Sequence, residues 1–378
     1  MTEPTKEGFC MKNIAVLGAG MIGGVIARDL AVDFNVSVYD RDRERLNNIP
    51  ENKNLKCRQL DFGDQRAFSG EIGKCDLVVS AVSSTIGHST LKNVIELGKD
   101  VVDIAFSGED PFLLDDIAKR NNVTAVVDCG VAPGLSNIIL GYFNMRMQLD
   151  SFECYVGGLP FKRILPFEYK APFAPMDVIE EYTRPARIVE NGRIVIKPAM
   201  SEPEIIEFAE TGSLEAFNTD GLRTLLKTMK IPNMKEKTIR YPGHIDKIKF
   251  LHDAGFFSDK QITVNGIKVL PIELTSGILL KHWELKRGEK EYTVMRINLK
   301  GNNKTVTVNL FDQFDESTGY TSMSRTTGFT CAAAAKLIIE RKYIRKGIIP
   351  PEYISQDEGC YFDIVNYLRR RGINLQIS

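Results

Sequence analysis

The chain has 378 residues, too many for one ordinary hydrophobic core and well suited to two domains. Its 49 lysines and arginines balance 49 aspartates and glutamates, so no overall field favours nucleic acid or a membrane surface, and a small molecule is the expected partner. Seven cysteines without Cys-x-x-Cys spacing argue against a disulfide framework or a structural zinc site, and no window approaches the ~18 apolar residues of a membrane span, which together suit a reducing cytoplasm. The polar start lacks the apolar stretch of a signal peptide, and Met11 is expected to open the folded part, leaving residues 1–10 as a loose extension.

Short β-branched runs at 14–17, 36–39, 55–60, 77–82, 101–104 and 124–127 alternate with helical patterns at 21–30, 42–48, 89–97 and 111–121. That alternation predicts an α/β fold of Rossmann type, a doubly wound parallel sheet. Between the first run and the first helix stands Gly18-Ala19-Gly20-Met21-Ile22-Gly23. Gly18 permits the tight turn, Gly20 lets the backbone approach a pyrophosphate, Gly23 lets helix and strand pack closely, and the helix N-terminus offers N–H groups to the phosphates. The second run ends in Asp40, a carboxylate placed to accept from the adenosine ribose and to repel a 2'-phosphate, which favours NAD over NADP. Arg41 beside it suits either a 2'-phosphate or stacking on adenine, so NADP stays open. The carboxyl ends of the other strands bring Asp61, Ala81, Val82, Ser83, Asp103 and Asp128 to the same edge, each either a cofactor contact or a local cap. Ile104 and Val131 are expected beside the cofactor as well.

After Asp128 the punctuated Cys129-Gly130-Val131-Ala132-Pro133-Gly134 marks the crossing into a second domain, followed by an apolar helix at 135–145. Asn191-Gly192 and Asn265-Gly266 each join two β runs as type I' hairpins, and 292–299 with 305–311 forms a longer one. Helices are expected at 214–229 and 245–254, giving a second α+β domain with a mixed or antiparallel sheet. Tail helices at 331–341 and 361–371 are expected to return to the nucleotide domain, so the division reads 1–130 plus 322–378 against 131–321. The hairpin-rich part suggests a homo-oligomer, a dimer first of all.

At this point the chain resembles the saccharopine dehydrogenase-like family, most closely its lysine 6-dehydrogenase type. The segments responsible include Val127-Asp128-Cys129-Gly130-Val131-Ala132-Pro133-Gly134, Tyr182-Thr183-Arg184-Pro185-Ala186-Arg187, Leu214-Glu215-Ala216-Phe217-Asn218-Thr219-Asp220-Gly221-Leu222 and Thr238-Ile239-Arg240-Tyr241-Pro242-Gly243-His244. The resemblance implies NAD-dependent oxidation of lysine at the ε-carbon, releasing ammonia and giving a semialdehyde that cyclises. It also admits the saccharopine-forming and carboxynorspermidine-forming reductive condensations of the same architecture.

Amine oxidation needs a base for the substrate ammonium. His244, after a Pro-Gly turn at a helix start, is suited to that role by its intrinsic pKa, or else caps the helix. Arg240 fits a substrate carboxylate through a bidentate pair or forms a structural ion pair, and Arg184 has the same two readings. Asp220 and Asn218 would hold an amine or bond locally in a turn. Tyr155, on a glycine-containing strand, lines the pocket or belongs to the core, and Asp103 is a further substrate candidate. Cys129 reads as small packing, lacking an electropositive partner nearby. His88, His244, His252 and His282 show no ligand spacing, so no metal is expected. A dinucleotide-binding protein without catalysis is the rival of a different class.

Overall fold

The computed structural model describes residues 11–171 and 175–378; the extension expected at 1–10 lies outside them. The chain divides into two compact units, the first running to Asp128 and including Cys331–Ile349, the second made of Cys129–Thr330 and Pro350–Ser378.

The first unit is a seven-stranded parallel sheet in the order Gly347–Ile349, Thr124–Val126, Val101–Asp103, Leu77–Ser80, Asn13–Leu17, Asn35–Asp40, Leu55–Gln59. All six predicted runs form strands there. Near-continuous Val, Ile and Leu suit strands buried on both faces, and Ile14, Val16, Val79 and Val102 are all fully buried, whereas the edge strand Leu55–Gln59 is polar and largely exposed. The seventh strand, Gly347–Ile349, was too short to stand out in the sequence. It is defined by its partner Thr124–Val126, whose Thr124 Oγ1 also donates to the Arg345 carbonyl at 2.9 Å. Helices Met21–Leu30, Gln65–Ile72, Ser84–Glu96 and Asp115–Arg120 make the crossovers.

The second unit holds a nine-stranded mixed sheet. Its main path runs Glu204–Phe208, Gly212–Asn218, Asn233–Arg240, Ser151–Pro160, Glu291–Gly301, Lys304–Gln313, Leu375–Ile377, with Asn233–Arg240 and Ser151–Pro160 parallel. The hairpin Ala186–Glu190/Arg193–Lys197 attaches to Asn233–Arg240. The sheet curls strongly. Arg296 Nη1 donates to the Glu207 carbonyl at 2.9 Å and its guanidinium lies 4.4 Å from the Phe208 ring centre, although three strands separate their two strands in the hydrogen-bonding order. Tyr155, Leu159, Leu214, Ile239, Tyr292 and Val294 fill the curl.

The hairpins form as expected, with Asn191, Gly192, Asn265 and Gly266 all at positive φ. Two expectations are corrected. Residues 214–229 do not form one helix: Gly212–Asn218 is a strand paired on both sides, and only Leu225–Thr228 is helical. Tertiary pairing overrides the helical propensity of Leu-Glu-Ala there. The last helix, Glu358–Arg369, belongs to the second unit, where Tyr361 stacks on Tyr142 at 3.8 Å and the following Leu375–Ile377 pairs with Lys304–Gln313.

Candidate active site

The glycine turn has the geometry of a phosphate cradle. Gly18 N–H donates to the Tyr39 carbonyl at 2.8 Å, and Gly18 adopts φ +100°, where a Cβ would lie 2.4 Å from the Ala81 carbonyl oxygen. A Cβ on Gly23 would lie 2.0 Å from the Gly18 oxygen, so both positions are closed to side chains. Gly20 differs: a Cβ there would meet nothing within 4 Å. It precedes helix Met21–Leu30 with no side-chain cap, so no side chain at Gly20 takes the first-turn N–H groups at the positive end of the helix dipole. That emptiness above an uncapped helix start is what a dinucleotide pyrophosphate needs, and the residues present fit such a group.

Asp40 is buried, with its Oδ2 accepting from Ala19 N–H at 2.8 Å and its Oδ1 from Asp42 N–H at 2.9 Å. The carboxylate therefore braces the glycine turn from the next strand. Around it the structure places Arg41 exposed, Met21 exposed, Ile22 half-buried, Ala81 and Val82 half-buried and Ser83 exposed with Oγ 2.9 Å from Thr85 Oγ1. Ile104 N–H bonds the Ser80 carbonyl, and Asp103 is buried at its strand end. Asp61 is exposed and accepts from Gly63 N–H at 2.9 Å, the local turn bonding that competed with a cofactor role. Val131 lies in the second unit, buried in the loop before helix Leu135–Asn144. Ser80, passed over in the sequence, has a fully buried Oγ without a partner among the described residues.

In the second unit the Arg240-to-His244 segment forms a continuous buried network. Arg240 Nη2 donates to Glu181 Oε2 at 2.6 Å, and its Nε donates to the Tyr182 hydroxyl at 3.0 Å. Tyr182 lies 2.9 Å from His244 Nε2, while His244 Nδ1 lies 2.8 Å from the Phe167 carbonyl. A carbonyl only accepts, so Nδ1 carries the hydrogen and Nε2 takes one from Tyr182. The Tyr169 ring centre sits 4.2 Å from the Arg240 guanidinium, and Trp283 packs on both tyrosines.

Burial, with Arg240 nearby, lowers the His244 pKa to about 3, so the imidazole is neutral at ordinary pH. Burial raises the Tyr182 hydroxyl to about 12. Desolvation works against the charge on Arg240, but Tyr169, Tyr182 and Glu181 outweigh it and raise its pKa.

The structure encloses His244, expected as a base or as a helix cap, within this network. The side chain is 1% exposed with both ring nitrogens engaged, and a group so weakly basic holds a hydrogen bond in place instead of taking up a proton. Arg240 likewise spends its guanidinium on Glu181, Tyr182, Tyr169 and the Ile239 carbonyl. The remaining candidates lie apart from this network. Asp220 accepts a bidentate pair from Arg187, at 2.8 Å on each oxygen. Asn218 donates to Ser201 Oγ and Glu202 and leaves its buried Oδ1 without a partner among the described residues. Arg184 pairs with Glu180 one helical turn before it. Tyr155 lies in the curl, its hydroxyl 3.4 Å from both Glu153 and Glu204.

Glu181, Tyr169 and Trp283 escaped the sequence reading, as did Glu352. Its buried carboxylate accepts from Asn137, Thr224 and Thr228, and Asn137 Oδ1 accepts from Gly134 N–H at 3.3 Å, so it backs the Gly130–Gly134 loop. Only the short Pro-Pro-Glu segment hinted at a helix start there. Among the described residues no group of three or more His, Cys, Asp or Glu side chains is arranged to hold a metal ion, and no helix is long and apolar enough to cross a membrane.

Comparison with known proteins gives a consistent picture. Residues 14–126 match the saccharopine dehydrogenase NADP binding domain, and residues 130–373 match the saccharopine dehydrogenase C-terminal domain. Saccharopine dehydrogenase [NADP(+), L-glutamate-forming] of Schizosaccharomyces pombe is 22% identical over 97% of this chain and 98% of its own length. The protein of the same name from Saccharomyces cerevisiae is 25% identical over 66% of this chain and 59% of its own. The solved apo saccharopine dehydrogenase (L-Glu forming) of Saccharomyces cerevisiae superposes with a TM-score of 0.78 at 19% identity, covering 97% of this chain and 99% of that one, a likeness of fold.

Proposed function

The chain belongs to the saccharopine dehydrogenase family, and from that premise we propose that it oxidises the ε-amine carbon of L-lysine with NAD, releasing ammonia and a semialdehyde that cyclises. It is an oxidoreductase of amino-acid metabolism with a nicotinamide dinucleotide cofactor; the substrate and the choice of NAD are the proposed part.

One observation carries the substrate reading. Four arginines of the second unit already have carboxylate partners within the chain: Arg240 with Glu181, Arg187 with Asp220, Arg184 with Glu180 and Arg325 with Asp312. A condensation product such as saccharopine carries several carboxylates and calls for cations in excess, whereas lysine brings one carboxylate and its own ammonium groups. These four pairs, which include the candidates Arg240 and Arg184, support the lysine-like substrate.

The bound nicotinamide supplies the hydride acceptor for the amine-bearing carbon. The chain's own part begins at Gly20, whose open face and uncapped helix start hold the pyrophosphate. Asp40 fixes the turn through Ala19 N–H and sets a carboxylate against a 2'-phosphate, which supports NAD although the matched family domain is named for NADP. His244 and Tyr182 hold Arg240 and Glu181 in one orientation, a positioning role. A reducing compartment such as the cytoplasm is the proposed location, in keeping with seven cysteines that lack Cys-x-x-Cys spacing. A homodimer is the proposed assembly.

The test is dinucleotide reduction, followed by absorbance with NAD or NADP and with lysine or saccharopine, at alkaline pH because the lysine amine is neutral only near its pKa of about 10.4. Reduction of NAD with lysine is expected. Turnover of saccharopine and none of lysine would overturn the reading in favour of the condensation class, and no turnover of any amino acid would favour a non-catalytic binding protein.

A further inference from the structure

Helix Pro271–Trp283 buries Thr275, Ser276, Leu279 and Trp283 against its own unit and presents Glu273, Leu274, Gly277, Ile278 and Lys281 outward. Leu274 is 60% exposed and Ile278 52%. A Cβ on Gly277, midway along that stripe, would meet nothing within 4 Å. Just before the helix stands the two-stranded hairpin Ile262–Val264/Ile267–Val269, which pairs with no other strand among the described residues. Its cross-strand partners Ile262 with Val269 and Val264 with Ile267 put four branched side chains on one face. Ile262, Val264 and Ile267 are all about half exposed or more. An isolated two-stranded hairpin is marginal in water, and exposed apolar side chains on it and on the helix that follows are surface that a partner would cover.

The stripe is complementary to itself. Glu273 stands four residues before Gly277 and Lys281 four after, and neither side chain forms an ion pair among the described residues. A second copy packed antiparallel about a two-fold axis at Gly277 sets Glu273 of each copy against the partner copy's Lys281, with Leu274 and Ile278 between the charged ends and glycine at the close approach. We propose that the helix Pro271–Trp283, together with the apolar face of the hairpin 262–269, is the homodimer interface of this protein. This rests on the homodimer reading above, and the experiment separates the two.

The measurement is sedimentation equilibrium of the full chain over a wide concentration range. Glu273→Lys places like charges at both ends of the paired helices and is expected to weaken dimerisation at least about tenfold. The swapped double variant Glu273→Lys/Lys281→Glu restores opposite charges in every pair and is expected to regain most of that loss. Ile278→Asp, an exposed change that spares the core, is expected to weaken the dimer about 30-fold or more. A dimer unaffected by all three variants would overturn this surface while leaving the homodimer standing. A monomer throughout the range would overturn both, and a weakening by Glu273→Lys that the double swap fails to regain would overturn the antiparallel pairing.

Discussion

Tyr182 donates to Nε2 of His244 across 2.9 Å while its oxygen accepts from Arg240 Nε at 3.0 Å. One hydroxyl thus links a guanidinium that must stay charged to an imidazole that must stay neutral. The two requirements reinforce each other, because the positive charge of Arg240 is one reason that His244 resists protonation.

The pH dependence of stability follows from that. The folded His244 titrates at about 3 against an ordinary 6.5, so between those values the unfolded chain takes up a proton that the folded chain refuses. Its contribution is fully present above pH ~6.5 and is lost at about 1.4 kcal/mol per pH unit as the pH falls toward 3. Burial raises the Glu291 carboxyl to about 7, which gives a slope of the opposite sign in the same range, so the wild-type chain is compared with His244→Gln. Urea midpoints read by the fluorescence of Trp283 are expected to show a wild-type advantage at about pH 7 that shrinks toward pH 5; an advantage that does not change with pH would show that His244 is not the group responsible.

Breaking the Arg240–Glu181 pair leaves one buried charge alone. Arg240→Met is expected to cost about 3–5 kcal/mol, and the double variant Arg240→Met/Glu181→Leu distinctly less. Denaturation midpoints of both variants check this. A double variant as unstable as the single one would assign the loss to packing against Tyr169.

Gly20 and Gly23, three residues apart, should fail differently. Gly23→Ala forces a Cβ against the Gly18 oxygen and is expected to destabilise the first unit. Gly20→Ala meets no protein atom, so the melting temperature should hold while dinucleotide affinity falls roughly tenfold or more. Calorimetric titration with NAD beside a thermal melt distinguishes them. Loss of stability in Gly20→Ala would contradict the open cradle.

Asp40→Asn keeps an oxygen for Ala19 N–H, gives up the bond from Asp42 N–H and removes the charge. The ratio of kcat/KM for NADP over NAD is expected to rise about tenfold, equivalent to roughly 1.4 kcal/mol. An unchanged ratio would remove Asp40 from cofactor choice.

The first unit was readable because parallel strands buried on both faces repeat an unbroken apolar signature, and because Gly18, Gly20 and Gly23 have separate steric reasons to be glycine. The second unit was harder. Leu214–Ala216 reads as helix until strands on both sides claim it, and the role of His244 depends on Tyr182, 62 residues away. A histidine near Pro-Gly announces chemistry, but burial decides which chemistry, and burial is a tertiary property. Arg240 shows the same limit, since nothing local reveals that Glu181 already occupies its fork.

The strand Gly347–Ile349 has a consequence for biosynthesis. Thr124 and Arg345, joined by a hydrogen bond, stand 221 residues apart in the chain. At a ribosomal rate of about 5–20 residues per second, the nucleotide-binding sheet waits at least about ten seconds for its seventh strand. Until then Thr124–Val126 is an exposed edge, while most of the other unit emerges. The nascent chain is therefore open to mispairing during that interval, and a chaperone that shields sheet edges should raise the yield of native protein.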